Sequence, residues 1–248
     1  MRSVLWFAAA SMLTTIVHEA VHACVAYTLG VPSTLFNDFV DLHPAPAEIS
    51  IRQRTVIGAA GPLACLGLGV LAWAGFRRAR GSTAELPLLY VTVFGTATFF
   101  GNLMSMASVG DFSSVARALS LPMWFRYAMS ATGALAVAAI HFWGGRELAR
   151  GRPTRAGSLS AAAGAVAMPA VLGTACVIVV NLPMPPASLM ARLTEAGFWL
   201  FAAGGALATS MDSQHGPGRT ALHWADGVAL ALAVLLVRLT ARGIVFTP

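Results

Sequence analysis

Residues 3–29 read SVLWFAAASMLTTIVHEAVHACVAYTL, an apolar run whose one formally charged residue is Glu19. A helix rises 1.5 Å per residue, and a bilayer's hydrocarbon core is ~30 Å thick, so this run is long enough to cross it. Its start imitates a signal peptide, with Arg2, an apolar run and a small-residue triplet at Ala8-Ala9-Ala10. The run continues to about Gly30, however, longer than a signal peptide's apolar region, so a retained membrane helix is expected.

Working outward, six more apolar stretches follow, at roughly 55–76, 87–109, 122–144, 158–181, 194–211 and 221–241. The sixth is shortened by Arg192 and Glu195, and the seventh opens on His223 and Asp226. The expected fold is an all-α polytopic membrane protein with six or seven transmembrane helices. Composition agrees: 57% of residues are hydrophobic and 10% charged, where soluble domains carry roughly 25% charged residues. Too few polar side chains remain to cover a water-facing surface, which makes lipid the expected surroundings.

Residues 31–54 are of another kind. They hold Pro32, Pro44 and Pro46, with Asp38, Asp41 and Glu48. Ile49 and Ile51 alternate with Glu48, Ser50 and Arg52, a period of two that predicts a short strand, with Leu35 to Val40 as its partner. A small membrane-associated strand segment is thus expected between the first two helices. Pro87, Pro122 and the Pro183-to-Pro186 region mark span boundaries.

The net charge of +6 does not point to nucleic acid. Every basic residue is Arg, most lie between apolar stretches where loop charge sets topology, and no aromatic residues interleave with them as a nucleic-acid site would need. Cys24, Cys65 and Cys176 all lie in apolar stretches and read as ordinary small apolar residues.

The chemistry concentrates at His18-Glu19-Ala20-Val21-His22. In a helix, residues four apart lie about 40° and one turn apart, so the two imidazoles converge on one point, as two ligands of one zinc ion must. Glu19 sits about 100° from His18, at the edge of that face, where it can act as a general base without being a ligand. An acid in the middle of an apolar span costs roughly 2.5–3.5 kcal/mol on insertion scales, which favours a functional reading over a structural one. A catalytic zinc takes three protein ligands. Asp111, at the end of the third stretch, is a candidate for the third; Asp38, Asp41, His43 and Glu147 are its rivals.

The run His18-Glu19-x-x-His22-Ala23, with Ala26 and Gly30-Val31, resembles the first core helix of the site-2 protease family of intramembrane zinc metalloproteases. Ala60-Gly61-Pro62-Leu63-Ala64 resembles that family's Ala-Gly-Pro motif opening the second core helix, with Pro62 expected in the first helical turn. Asn102, Ser105 and Gly110-Asp111-Phe112 stand where the family carries an Asn, a Pro and Leu-Asp-Gly. The third motif departs from the pattern: the Pro is absent, Asp111 comes one residue late, and no Gly follows it. Cys65 stands where the family often has Asn.

The resemblance covers roughly residues 10–115 and implies a three-helix catalytic core within 1–115, with 116–248 as additional transmembrane helices. It implies His18, His22 and Asp111 as zinc ligands, Glu19 as acid/base, and Asn102 near the substrate carbonyl. The expected activity is hydrolysis of peptide bonds in or near transmembrane segments of membrane-protein substrates, by a multi-pass enzyme of a bacterial cytoplasmic membrane in contact with lipid. The alternative is a catalytically inactive relative, or a metal-binding or transport membrane protein.

Overall fold

The computed structural model describes residues 1–44, 48–150, 159–182, 186–210 and 224–248. Pro46, Pro183 and His223, on which parts of the sequence reading fall, lie outside them.

Helix α1 (Arg2–Thr28) covers the first apolar run up to its last residue, Leu29, which is the C-cap. Two short strands follow, β1 (Ser33–Leu35) and β2 (Val40–Leu42), then α2 (Ile51–Arg78), α3 (Glu85–Met104) and a short α4 (Asp111–Ala118). The remaining elements are α5 (Met123–Arg150), α6 (Leu159–Val180), α7 (Pro186–Ser210), α8 (Trp224–Thr240) and β3 (Ile244–Phe246). Among the described residues there are thus eight helices and one small sheet. Three of the helices, α1, α2 and α3, are long and apolar enough to cross a membrane.

The sheet differs from the expected one. Its order is β2-β1-β3, antiparallel throughout. The Leu35-to-Val40 stretch divides between two strands, with Leu35 facing Val40 across the hairpin. The third strand comes from the far end of the chain, placing Thr34 opposite Val245. Glu48 to Arg52 form no strand. Ser50 is the N-cap of α2: its hydroxyl accepts from the Gln53 N–H, and the Gln53 side chain accepts from the Ser50 N–H, a reciprocal capping box. The alternation of Ile49 and Ile51 reflects a helix entry, with Ile49 turned into the core and Ile51 outward. The Gln53 amide also donates to the Leu29 carbonyl at 3.0 Å, tying the start of α2 to the end of α1. Because α2 begins at this cap, Pro62 lies inside the helix instead of opening it; a Pro there has no N–H to give the preceding turn.

Helix α1 is central, packing against α2, α3, α6 and α8. Phe7 meets Tyr90, Phe94 and Trp199 in an aromatic core joining α1, α3 and α7. Glycine lets the backbones of α2 and α3 touch: a Cβ on Gly95 would lie 2.8 Å from both the Cys65 carbonyl oxygen and the Gly69 nitrogen. Such close approach suits helices whose association cannot draw on water exclusion. Large apolar side chains such as Leu71, Leu135, Val171 and Leu200 face outward, as they would toward hydrocarbon. At the open end of α1, the Arg2 guanidinium and the Trp6 indole N–H both donate to the Asp226 carboxylate of α8, at 2.9 and 2.6 Å.

Candidate metal centre

The two imidazoles of α1 stand one turn apart with their rings nearly perpendicular, at 79°, and their Nε2 atoms 3.1 Å from each other. His22 is oriented by α2. Its Nδ1 lies 2.6 Å from the Ile57 carbonyl oxygen. A carbonyl can only accept, so Nδ1 carries the proton and, in the neutral ring, Nε2 is left as the bare nitrogen. A histidine whose far nitrogen donates to a backbone carbonyl is the usual arrangement of a metal ligand.

Asp111 reaches the same point from 93 positions along the chain. Its Oδ2 is 2.9 Å from His18 Nε2 and 3.4 Å from His22 Nε2. The ligand atoms of His18, His22 and Asp111 all lie within 4.8 Å of one another, so the three could hold one metal ion. Burial pushes the Asp111 carboxyl up, but the His18 and His22 imidazoles beside it outweigh that and hold the group below the ordinary carboxylate range.

The third apolar stretch runs on to Val109, but α3 stops at Met104, and the chain turns before α4 begins at Asp111. Gly110 has φ +96°, a conformation that glycine reaches at no steric cost. The Asp111 N–H donates to Asn102 Oδ1 at 3.4 Å, while the Asn102 amide donates to the Thr98 carbonyl at 3.1 Å. The turn is held from outside by α5: Arg126 donates to the carbonyls of Met106 and Ala107 and to the Ser113 hydroxyl, and Ser130 accepts from the Ala107 N–H. Phe112 anchors α4 edge-on against Phe99 of α3, ring centroids 5.5 Å apart.

Glu19 is buried beside the three ligands, its Oε1 4.0 Å from His18 Nε2. It is not one of the three clustered candidate ligands. Asn102 is placed behind Asp111, through the Asp111 backbone. The rivals go elsewhere. His43 pairs with the Thr34 hydroxyl at 2.8 Å, Asp41 is exposed on β2, and Glu147 binds Arg80 and Arg150. Asp38 sits in the β1–β2 turn, near enough for its charge to act on Glu19, but it is not one of the clustered groups.

No family model, curated protein or solved structure matches the chain.

Two contributors to the site escaped the sequence reading. Cys65, read as a small apolar residue, is indeed fully buried, but its sulfur faces His18 Nδ1 at 3.6 Å. Ile57 contributes only its backbone. The signal for Cys65 was its position four residues after Gly61, which places both on the α2 face turned to α1.

Proposed function

We propose that the chain is an intramembrane zinc metalloprotease, similar to the site-2 proteases, acting on transmembrane segments of membrane proteins. One observation carries the reading: Asp111, remote in sequence, brings a carboxylate oxygen within 3.4 Å of both Nε2 atoms of the His18–His22 pair, with Glu19 alongside. Two imidazoles and one carboxylate on a single point suit zinc with one position left open.

His18 Nε2, His22 Nε2 and Asp111 Oδ2 would hold the ion. Zinc supplies Lewis acidity, which activates water at neutral pH and polarises a carbonyl. The Glu19 carboxylate takes a proton from the attacking water as the new C–O bond forms, then delivers it to the amine nitrogen, which leaves as the C–N bond breaks. A substrate helix hides its carbonyls in its own hydrogen bonds and must unwind first. Because β1 is paired on both sides, an unwound segment would add to an outer edge of the sheet, on β2 or β3. Water needs a polar route through the bundle. Ser11, Thr14 and Thr15 extend the polar face of α1 away from His18, and Arg192 of α7 donates to the Thr15 hydroxyl at 2.8 Å.

The same reading places α5, α6 and α7 across the membrane with α1–α3, and α8 as a seventh span, in a bacterial cytoplasmic membrane. The missing Pro before Asp111 and the Phe112 after it favour a second reading, a catalytically inactive relative that keeps the metal. Comparing membrane proteomes in the presence of wild-type protein and of Glu19→Gln separates the two: the enzyme predicts fragments that vanish in the variant, and the inactive relative predicts none in either.

A further inference from the structure

His22 has a carbonyl behind it, but His18 does not. Among the described residues the partner of His18 Nδ1 is the Cys65 sulfur at 3.6 Å, and that sulfur also lies 3.7 Å from the Thr14 carbonyl oxygen, one turn earlier on α1. Sulfur hydrogen bonds are long, and a thiol can give one proton while accepting another. The Thr14 carbonyl can only accept, so it takes the S–H. The sulfur lone pair is then turned to Nδ1, and the Nδ1–H donates to it. In this tautomer Nε2 of His18 is bare and faces His22 and Asp111, and a metal ion held there would take its lone pair.

We infer that Cys65 is a positioning residue, holding His18 by its Nδ1–H so that Nε2 presents its lone pair to a metal ion. The inference rests on the metal reading of the His18–His22–Asp111 cluster and not on proteolysis. Three features of the site support it. Cys65 is fully buried, so its sulfur is shielded from bulk solvent. Gly95 of α3 packs against the Cys65 backbone, which fixes the height of the thiol along α1. The other ligand histidine is already held from behind in the equivalent way, through Ile57. Partners behind a ligand typically change metal affinity by 10–100-fold when lost.

The test is zinc affinity of the full chain in mild detergent, with zinc alone as probe, competed against a chromophoric chelator. Cys65→Ala removes the acceptor, whereas Cys65→Ser keeps an acceptor on a shorter bond, which a small shift of the His18 ring would have to meet. Cys65→Ala is expected to bind zinc about 10–100-fold more weakly than wild type, and Cys65→Ser to recover part of the loss. Cys65→Val, which fills the space without accepting, should behave like Cys65→Ala and serves if the smaller variant does not fold. Wild-type affinity in Cys65→Ala and Cys65→Val would overturn the inference, as would an equal loss in Ser and Ala, which marks simple packing. No substrate is used, so a chain that binds zinc but cleaves nothing still decides the matter. A wild type without zinc affinity removes the metal reading and this inference together.

Discussion

Gly61 leaves open the space that the His22 imidazole fills. A Cβ at position 61 would clash with His22 Nε2, with Cδ2 at 2.7 Å and with the His18 carbonyl oxygen at 2.9 Å. The imidazole cannot retreat without breaking its 2.6 Å bond to Ile57. Gly61→Ala should therefore disturb the ligand pair directly, and Gly61→Leu more so. We expect both variants to insert into the membrane and both to bind zinc at least roughly tenfold more weakly, since the metal's support is displaced. Zinc titration beside a membrane-fractionation assay checks this; failed insertion with an intact metal affinity would make Gly61 a folding element only.

The His18–His22 pair predicts close to one zinc per chain. Elemental analysis after purification in mild detergent measures it, and the His18→Ala/His22→Ala double variant should lose the metal. Equal metal in both proteins would place the ion elsewhere.

Asp111 is expected to be the third ligand. Asp111→Ala should lower zinc occupancy and abolish cleavage, whereas Asp38→Ala, Asp41→Ala and His43→Ala should keep the metal. Asn102→Ala should fall between, because Asn102 meets Asp111 only through a 3.4 Å bond to its N–H. Full zinc in Asp111→Ala together with loss in one of the three others would move the ligand into the segment between α1 and α2.

Ser50 starts α2 and carries no chemistry. Losing an N-cap of this type costs about 1 kcal/mol, so Ser50→Ala should lower stability by that order while zinc affinity stays at the wild-type value. Unfolding in mixed micelles reads the first quantity and zinc titration the second. A loss of metal would show that the entry of α2 sets the position of Ile57 and Gly61 more tightly than their helix alone does.

How far the sequence could be read depended on the distance over which each feature is set. His18, Glu19 and His22 share one helix, so a 3.6-residue period is enough to converge two of them and place the third beside them. The long apolar helices were legible for the same reason. Asp111 could be nominated from its place in the chain, but its approach to His18 depends on Gly110, Asn102 and Arg126, three residues on three different stretches. The end of α3 was hidden because residues 105–109 stay apolar enough to read as helix, while the turn is held by Arg126 from α5. The strand at Glu48 to Arg52 was misread because one turn of helix entry also alternates, and the Ser50–Gln53 capping box overrides the strand pattern. β3 was illegible: three residues carry no usable period, and its partner β1 is at the opposite end of the chain.

The central claim is that Glu19 moves a proton while the metal is held by others. Glu19→Gln tests it, because Gln keeps the shape of the side chain but cannot take the proton. The measurement pairs zinc content with cleavage of membrane-protein substrates, in wild type and variant side by side. The account predicts zinc at the wild-type level and cleavage lost. Undiminished cleavage in Glu19→Gln, with zinc still bound, would contradict it.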